Sequence, residues 1–239
     1  MSGEYYLDRL VFFVLGSNRK AARELVAQAL THTAPGQEVF TQLLWPALTC
    51  VEKLHVEGCL TRSVYNAALH TIEILAHHIL SQLPLVEAGE GEAGRSMLVA
   101  SGLGEKEEMG AKITAGLAEA KGWRVHFGGA GLSDEELTFA LGRLSPEVLV
   151  LHVGAGTALG MTRQLIGRLH RVKIWPVVQI GVVGAGVEHP SCAGALGADL
   201  AGRDPVELLE MLELCPEKRA REESAVSEDL RHLRRWHVN

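Results

Sequence analysis

The run Val148-Leu149-Val150-Leu151-His152-Val153 passes directly into Gly154-Ala155-Gly156-Thr157, and a helical pattern follows over 161–169. A short apolar run rich in valine and leucine predicts a buried strand, and the glycines after it predict a tight turn into a helix. This stretch therefore predicts one strand-loop-helix unit of a parallel sheet.

The same unit recurs along the second half of the chain. Alternating strands and helices predict parallel strands joined by right-handed helical crossovers. The sequence therefore predicts an α/β fold with a doubly wound, flavodoxin-like (Rossmann-like) sheet. The predicted strands cover 97–101, 123–127, 148–153, 174–180 and 199–201, and the predicted helices cover 107–121, 134–144, 161–169, 191–196 and 205–214.

The first half of the chain has a different pattern. Its apolar residues recur at helical spacing from Tyr5 to about Leu85, which predicts four helices forming a bundle over 1–86. Pro46 is expected to kink the third helix or to mark its first turn. The expected caps and breaks are Ser17 or Asn18, Pro35-Gly36, Gly58 and Thr61.

Two segments lack either pattern. Residues 87–94 consist of glycine, glutamate and alanine, which predicts a flexible linker between the bundle and a second domain over 95–215. Residues 216–239 carry charges of both signs and predict a solvated helix or tail, with a regulatory arm as the weaker alternative.

Composition narrows the class of protein. The 239 residues are 47% hydrophobic and 22% charged, which excludes a disordered chain. The formal net charge of -6 argues against nucleic acid as a direct partner. The four cysteines lack C-x-x-C spacing, so we expect no zinc knuckle and a reducing compartment. No apolar run is long enough for a membrane span, and we expect a cytoplasmic protein without a membrane partner.

The predicted loops after the strands are rich in glycine. In doubly wound sheets ligands bind beyond the carboxyl ends of the strands, where these loops lie. Glycine there allows the backbone to approach a large flat ligand, but it also serves tight turns, and both interpretations stay open. The four loops cover 102–110, 128–133, 154–160 and 181–190.

A bundle followed by a flavodoxin-like sheet resembles the cobalamin-binding module of methionine synthase and of light-responsive cobalamin regulators. The resemblance covers nearly the whole chain. The segment around Trp45 is similar to the place where that family covers the upper face of the corrin. The other similar segments are the turn 58–61 and the stretches 128–133, 145–151 and 197–199.

The family's most specific motif, Asp-x-His-x-x-Gly, is altered here. The position reads Glu105-Lys106-Glu107-Glu108-Met109-Gly110, so Gly110 is kept, Glu105 stands for the aspartate and Glu107 replaces the cobalt-binding histidine. A neutral imidazole with a supporting acceptor suits such a metal, and a carboxylate does not. We therefore expect Glu107 to belong to a solvated acidic helix start.

The resemblance also implies changes on the upper face. The family's tryptophan position falls on His55, and its Glu-His pair falls on Tyr65-Asn66. His55 is a candidate metal ligand from the bundle, with a surface histidine as the alternative. Asn66, His70, Glu73 and His77 form one polar stripe, which could line the pocket or bind a metal, although a solvated face is favoured.

The remaining candidate residues follow the third and fourth strands. His152 stands where the family has a serine that meets the nucleotide tail, and the loop at Gly154 could wrap that tail. Gly181 and Gly184 correspond to the family's Gly-Gly. Val182 is expected to narrow the tail channel, which argues against tail-inserted cobalamin.

These observations favour a non-enzymatic regulatory or sensor module. Its expected cofactor is cobalamin, another corrinoid or another tetrapyrrole, held without the usual lower histidine. It would act through a protein partner, such as a transcription regulator, and would self-associate. A cofactor-free interaction scaffold and a corrinoid carrier for methyl transfer are the alternatives. No catalytic triad or carboxylate pair follows from the spacing, so no catalytic residue is predicted.

Overall fold

The computed structural model describes residues 3–32, 36–84, 95–101, 108–154, 158–172, 178–187 and 189–214. Its contacts divide the chain into two units, residues 1–208 and 209–239. The first unit holds both the helices of the first half and the sheet. The second is described only over 209–214, the end of the last helix. In the described ranges, no helix is long and apolar enough to span a membrane.

Helices make up the first half, which we call the helical region (residues 3–84). Its elements are α1 (Gly3–Leu15), α2 (Arg19–His32), α3 (Gly36–Val39), a π-helical turn (Phe40–Leu44), α4 (Trp45–Val56) and α5 (Arg62–Leu80). Pro46 lies in the first turn of α4, one of the two expected outcomes, because proline lacks the donor that this turn leaves free. The backbone stays helical from 36 to 56, and the π-helical turn within it was not predicted.

The expected helix ends are present. The Asn18 side chain accepts a hydrogen bond from the backbone N–H of Ala21 at 3.2 Å, and the Thr61 hydroxyl accepts one from Val64 at 3.4 Å. Gly58, just after α4, has φ +76°, which favours glycine. On α5 the apolar residues Ala68, Ile72, Leu75 and Ile79 are all buried, as their spacing predicts.

The second half is a parallel five-stranded sheet in the order β2-β1-β3-β4-β5. This is the order of flavodoxin-like sheets, so the predicted fold class is confirmed. The strands are β1 (Ser96–Ser101), β2 (Arg124–Gly129), β3 (Val148–His152), β4 (Gln179–Val183) and β5 (Leu200–Gly202), and the helices are α6 (Glu108–Ala120), α7 (Asp134–Leu144), α8 (Ala158–Val172), α9 (Cys192–Leu196) and α10 (Pro205–Leu214).

The sheet register aligns three strand ends. β3 lies at the centre, and its last residue, His152, pairs with Ser101 of β1 and Val183 of β4. We call this row of three residues the rim of the sheet. All residues of β1 and β3 are buried, because helices cover both faces of a doubly wound sheet.

The structure corrects the position of the fourth strand. The prediction covered 174–180, but β4 runs from Gln179 to Val183. Gly181 therefore lies within a strand and not in a loop. A Cβ added to Gly181 would meet the Leu208 side chain at 3.1 Å. Val182 belongs to the hydrophobic core, and its role in a tail channel stays a prediction.

Two predicted segments fall outside the described residues. These are the linker 87–94 and the tail 216–239. Because the linker is not described, the division into a bundle domain and a sheet domain stays a prediction.

The helical region contacts the sheet half through α5 and α6. Lys112 of α6 pairs with Glu73 of α5 at 3.1 Å and with Glu108 at 3.2 Å. Nearby, a Cβ on Gly116 would lie 2.5 Å from Leu80, so glycine allows the two helices to approach closely.

Candidate functional site

The rim contains one unusual side chain, the imidazole of His152. It is completely buried, and neither ring nitrogen has a hydrogen-bond partner among the described residues. Burial lowers the pKa of His152 to about 4, because charge is costly away from water. The ring is therefore neutral at pH 7. Each buried polar atom without a partner costs about 1–3 kcal/mol, so this histidine calls for a functional explanation.

Trp45 covers the imidazole from the helical region. Its indole meets His152 edge-on, with ring centroids 5.8 Å apart and planes at 82°. Its Nε1–H donates to the backbone carbonyl of Arg203, just after β5, at 3.0 Å. Trp45 and Pro46 lie where the π-helical turn passes into α4.

The turn that presents the Arg203 carbonyl is itself fixed. The Arg203 guanidinium and backbone N–H both donate to the Glu207 carboxylate, at distances from 2.7 to 3.2 Å. This interaction lowers the pKa of Glu207. The acceptor of the Trp45 indole therefore lies in a turn that these hydrogen bonds support.

Gly110 borders the imidazole on the α6 side. A Cβ added to Gly110 would overlap the His152 ring. Glycine is thus required at this position by direct packing of the imidazole on the helix backbone. Trp45, Gly110, His152 and the Arg203 carbonyl together form what we call the rim site.

The loops after β3 and β4 pack backbone against backbone beside the rim site. Gly184 has φ +141°, and a Cβ there would overlap the Val153 carbonyl. A Cβ on Gly186 would lie 2.5 Å from the Gly154 carbonyl. Glycine at 184 and 186 therefore allows the two loops, including Gly154, to approach closely.

The structure brings together some predicted site residues. Trp45 and Gly110 both lie against His152 at the rim, although no sequence pattern predicted that Trp45 and His152 touch. Glu105 and Glu107 lie outside the described residues, as does the loop 155–157. Sequence reasoning missed the Arg203 carbonyl, since a backbone acceptor 158 residues from its donor leaves no motif.

The remaining candidates lie elsewhere on the helical region. His55 is ten residues beyond Trp45, about 15 Å along the axis of α4, and stacks on Tyr65 with centroids 4.0 Å apart. Asn66 and His70 are exposed on α5. Throughout the described ranges, no group of three or more His, Cys, Asp or Glu side chains is placed to hold a metal ion. The metal role of His55 stays a prediction.

Glu73, from the predicted polar stripe, serves the contact between α5 and α6. Burial raises the pKa of Glu73, but the hydrogen bond and charge of Lys112 outweigh this, and the net pKa is lowered. His77 Nδ1 lies 2.8 Å from the Glu73 carbonyl oxygen on its own helix. The stripe is thus mainly solvated, with Glu73 engaged in an ion pair.

Comparisons with known proteins identify the fold of the chain. No protein-family model matches the chain, and no curated protein matches it. The fold is that of corrinoid-binding proteins, as the sequence resemblance predicted. In particular, the chain is similar to the monomethylamine corrinoid protein of Methanosarcina barkeri, with a TM-score of 0.69, 17% identity, and coverage of 88% of this chain and 98% of that one.

Another solved structure has a weaker likeness. It is a cobalamin-binding protein from Desulfitobacterium hafniense DCB-2, with a TM-score of 0.46, 16% identity, and coverage of 87% of this chain and 97% of that one. At these identities the comparisons show the fold alone.

The donor set at the rim fits a corrinoid. Cobalt accepts a neutral imidazole nitrogen, and His152 offers one that the described residues leave unpartnered. Trp45 contacts this ring directly, so a flat ligand reaching His152 must separate the helical region from the rim at this point.

Proposed function

We propose that this chain is a corrinoid-binding regulatory module that acts through a protein partner and not as an enzyme. The observation that carries the proposal is the buried, unpartnered imidazole of His152 beneath Trp45, at the sheet edge where doubly wound folds bind ligands. The fold shared with a corrinoid protein over 98% of that protein's length supports the ligand class.

The chemistry of the rim favours binding over catalysis. The pKa of about 4 keeps His152 neutral at pH 7, so it does not supply the imidazolium form that a general acid needs. The Ser101 hydroxyl donates to the Gly129 carbonyl at 3.0 Å, so it is already engaged. These groups can hold and orient a ligand, and a bound corrinoid would supply the chemistry of its cobalt.

The contact between Trp45 and His152 favours a sensor. A ligand that enters between these rings must break the edge-on contact and pull the indole from the Arg203 carbonyl. Ligand binding would then be coupled to movement of α4, which a partner protein or a second copy of the chain can detect.

A corrinoid carrier for methyl transfer is the second candidate. It is favoured by the likeness to the monomethylamine corrinoid protein, which has the same elements over nearly its full length. A carrier would bind corrinoid without a change in its association with other proteins, whereas a sensor would show one.

The first experiment asks whether a tetrapyrrole binds. Purified chain is mixed in the dark with hydroxocobalamin, adenosylcobalamin, cobinamide, haem or biliverdin, desalted, and examined by visible spectroscopy. We expect a corrinoid to be retained and the other ligands to be lost. If every ligand is lost, the proposal fails and a cofactor-free scaffold replaces it.

The second experiment separates sensor from carrier. The molecular mass in solution is measured by light scattering with and without the retained corrinoid, in the dark and after illumination. A ligand-dependent change in self-association supports the sensor. An unchanged mass, together with methylation of the bound cobalt by a methyl donor, would favour the carrier.

A further inference from the structure

We infer, on the basis of the proposed function, that His152 is the protein ligand to the cobalt of the bound corrinoid and binds it from the sheet side. The inference gives this role to a strand residue, while the altered motif at 105–110 carries glutamate at its cobalt-binding position.

The burial of His152 supports this role. Both of its ring nitrogens are without a partner in the described part of the chain, although the ring is completely enclosed. Natural proteins satisfy such groups with protein, water or a ligand, because an unpaired one is costly. A metal bond to one nitrogen would compensate this cost.

The other histidines that the structure describes are placed less well for this role. His55 stacks on Tyr65 away from the rim, and His70 is exposed. His170 Nε2 lies 3.1 Å from the Gly197 carbonyl, and His189 Nδ1 lies 2.9 Å from the Ser191 hydroxyl. Only His152, among the described histidines, ends a central strand beneath an aromatic ring of the helical region.

The surroundings of His152 also suit a metal ligand. A neutral imidazole has one nitrogen lone pair that can bind cobalt. Gly110 lets the ring pack with its Nε2 toward α6, which restricts the orientation of the ring and leaves Nδ1 as the nitrogen for cobalt. The groups packed on the ring from α4 and α6, Trp45 and Gly110, carry no charge. Neither of them competes for the metal.

Cobinamide provides a direct test, because it lacks the nucleotide base of cobalamin. Any axial nitrogen on its cobalt must therefore come from the protein. The full chain is loaded with cobinamide, reduced to Co(II), and examined by electron paramagnetic resonance. We expect each resolved cobalt line to split into a triplet from one ¹⁴N nucleus, and into a doublet when the protein carries ¹⁵N-histidine.

Variants identify which histidine is responsible. His152→Ala and His152→Gln should both lose the nitrogen splitting while retaining cobinamide, with circular dichroism to verify folding. The matched controls His55→Ala and His126→Ala should keep it. If both His152 variants fail to fold, the absence of nitrogen splitting in the unaltered chain would still overturn the inference.

The outcomes distinguish this inference from the proposed function. Retention of cobinamide without nitrogen splitting, or splitting that persists in His152→Gln, overturns the role of His152 and leaves corrinoid binding intact. Tighter retention of cobalamin by His152→Ala would also overturn it, because the imidazole would then obstruct the ligand. If the unaltered chain retains no corrinoid, both proposals fall together.

Discussion

The indole of Trp45 and the imidazole of His152 meet edge-on, with their centroids 5.8 Å apart, at the carboxyl end of the central strand. One ring belongs to the first residue of α4 and the other to the last residue of β3. The contact closes the sheet edge at the position where this class of fold binds ligands. A ligand can therefore reach His152 at this edge when the helical region moves away from the sheet and separates Trp45 from His152.

Burial of His152 predicts a specific pH dependence of stability. Its pKa is about 4 in the folded chain against an ordinary value of 6.5, so the unfolded chain binds the proton more tightly. The free energy of unfolding should therefore fall as pH falls from 6.5 to 4, by about 2–3 kcal/mol between pH 7.5 and 4.5. Urea unfolding at the two pH values measures this contribution.

The control for this effect is His152→Gln, whose side chain does not titrate. Its loss of stability over the same pH interval should be smaller than that of the unaltered chain by the stated amount. Equal losses in the two proteins would show that His152 does not have the lowered pKa.

Gly110→Ala should be strongly destabilising, because the new methyl group would overlap the His152 ring. We expect a loss of about 2–3 kcal/mol in the free energy of unfolding. Gly167→Ala on α8 is the matched control, since a Cβ there meets nothing within 4 Å, and it should be neutral or stabilising by up to about 1 kcal/mol.

The destabilisation by Gly110→Ala should be relieved by a second substitution that removes the imidazole. In the background of His152→Ala the cost of Gly110→Ala should largely disappear, which a double-mutant cycle would measure as strong coupling. Additive effects of the two substitutions would contradict the packing of this imidazole on α6.

Trp45→Phe should weaken the closed contact. The substitution removes the hydrogen bond to the Arg203 carbonyl and should lower the free energy of unfolding by about 1–2 kcal/mol. If the contact must open before a corrinoid enters, the apparent affinity should rise by up to about tenfold. Equilibrium dialysis with cobinamide gives this affinity.

Trp123→Phe is the control for removal of an indole. Trp123 is buried under the Arg95 guanidinium, which lies 4.1 Å from its ring centroid. This variant should leave cobinamide affinity unchanged. An affinity that falls in Trp45→Phe would indicate that the indole contacts the ligand favourably, and not that it opposes entry.

The ion pair between α5 and α6 should contribute little to stability. Glu73 and Lys112 are both partly exposed, so water and salt screen their interaction. A double-mutant cycle of Glu73→Gln and Lys112→Met should give a coupling below about 1 kcal/mol that decreases in high salt. A coupling insensitive to salt would mean that the pair is better shielded than its exposure indicates.

The sequence was sufficient for the fold class because β1 and β3 are short apolar runs and the segments between strands have helical spacing. The position of β4 along the chain could not be predicted correctly from the sequence. Apolar residues extend on both sides of Gln179, and Gly181 looks like the start of a loop. In the structure Gly181 lies in the strand, and Leu208 of α10 packs closely on it.

The site was predicted only in part. The order of the strands places His152 at the rim, and the resemblance to cobalamin-binding modules made Trp45 a candidate site residue. Their contact depends on how the helical region rests on the sheet, which local sequence patterns do not encode. The polar stripe of α5 shows the same limit, since periodicity identified one face but not that Glu73 would pair with Lys112.

A crystal structure of the chain loaded with cobinamide tests the central claim most directly. The account predicts a macrocycle between Trp45 and His152, with the two rings separated and the hydrogen bond from Trp45 to the Arg203 carbonyl broken. A corrinoid bound elsewhere, with the edge-on contact of these two rings intact, would contradict it.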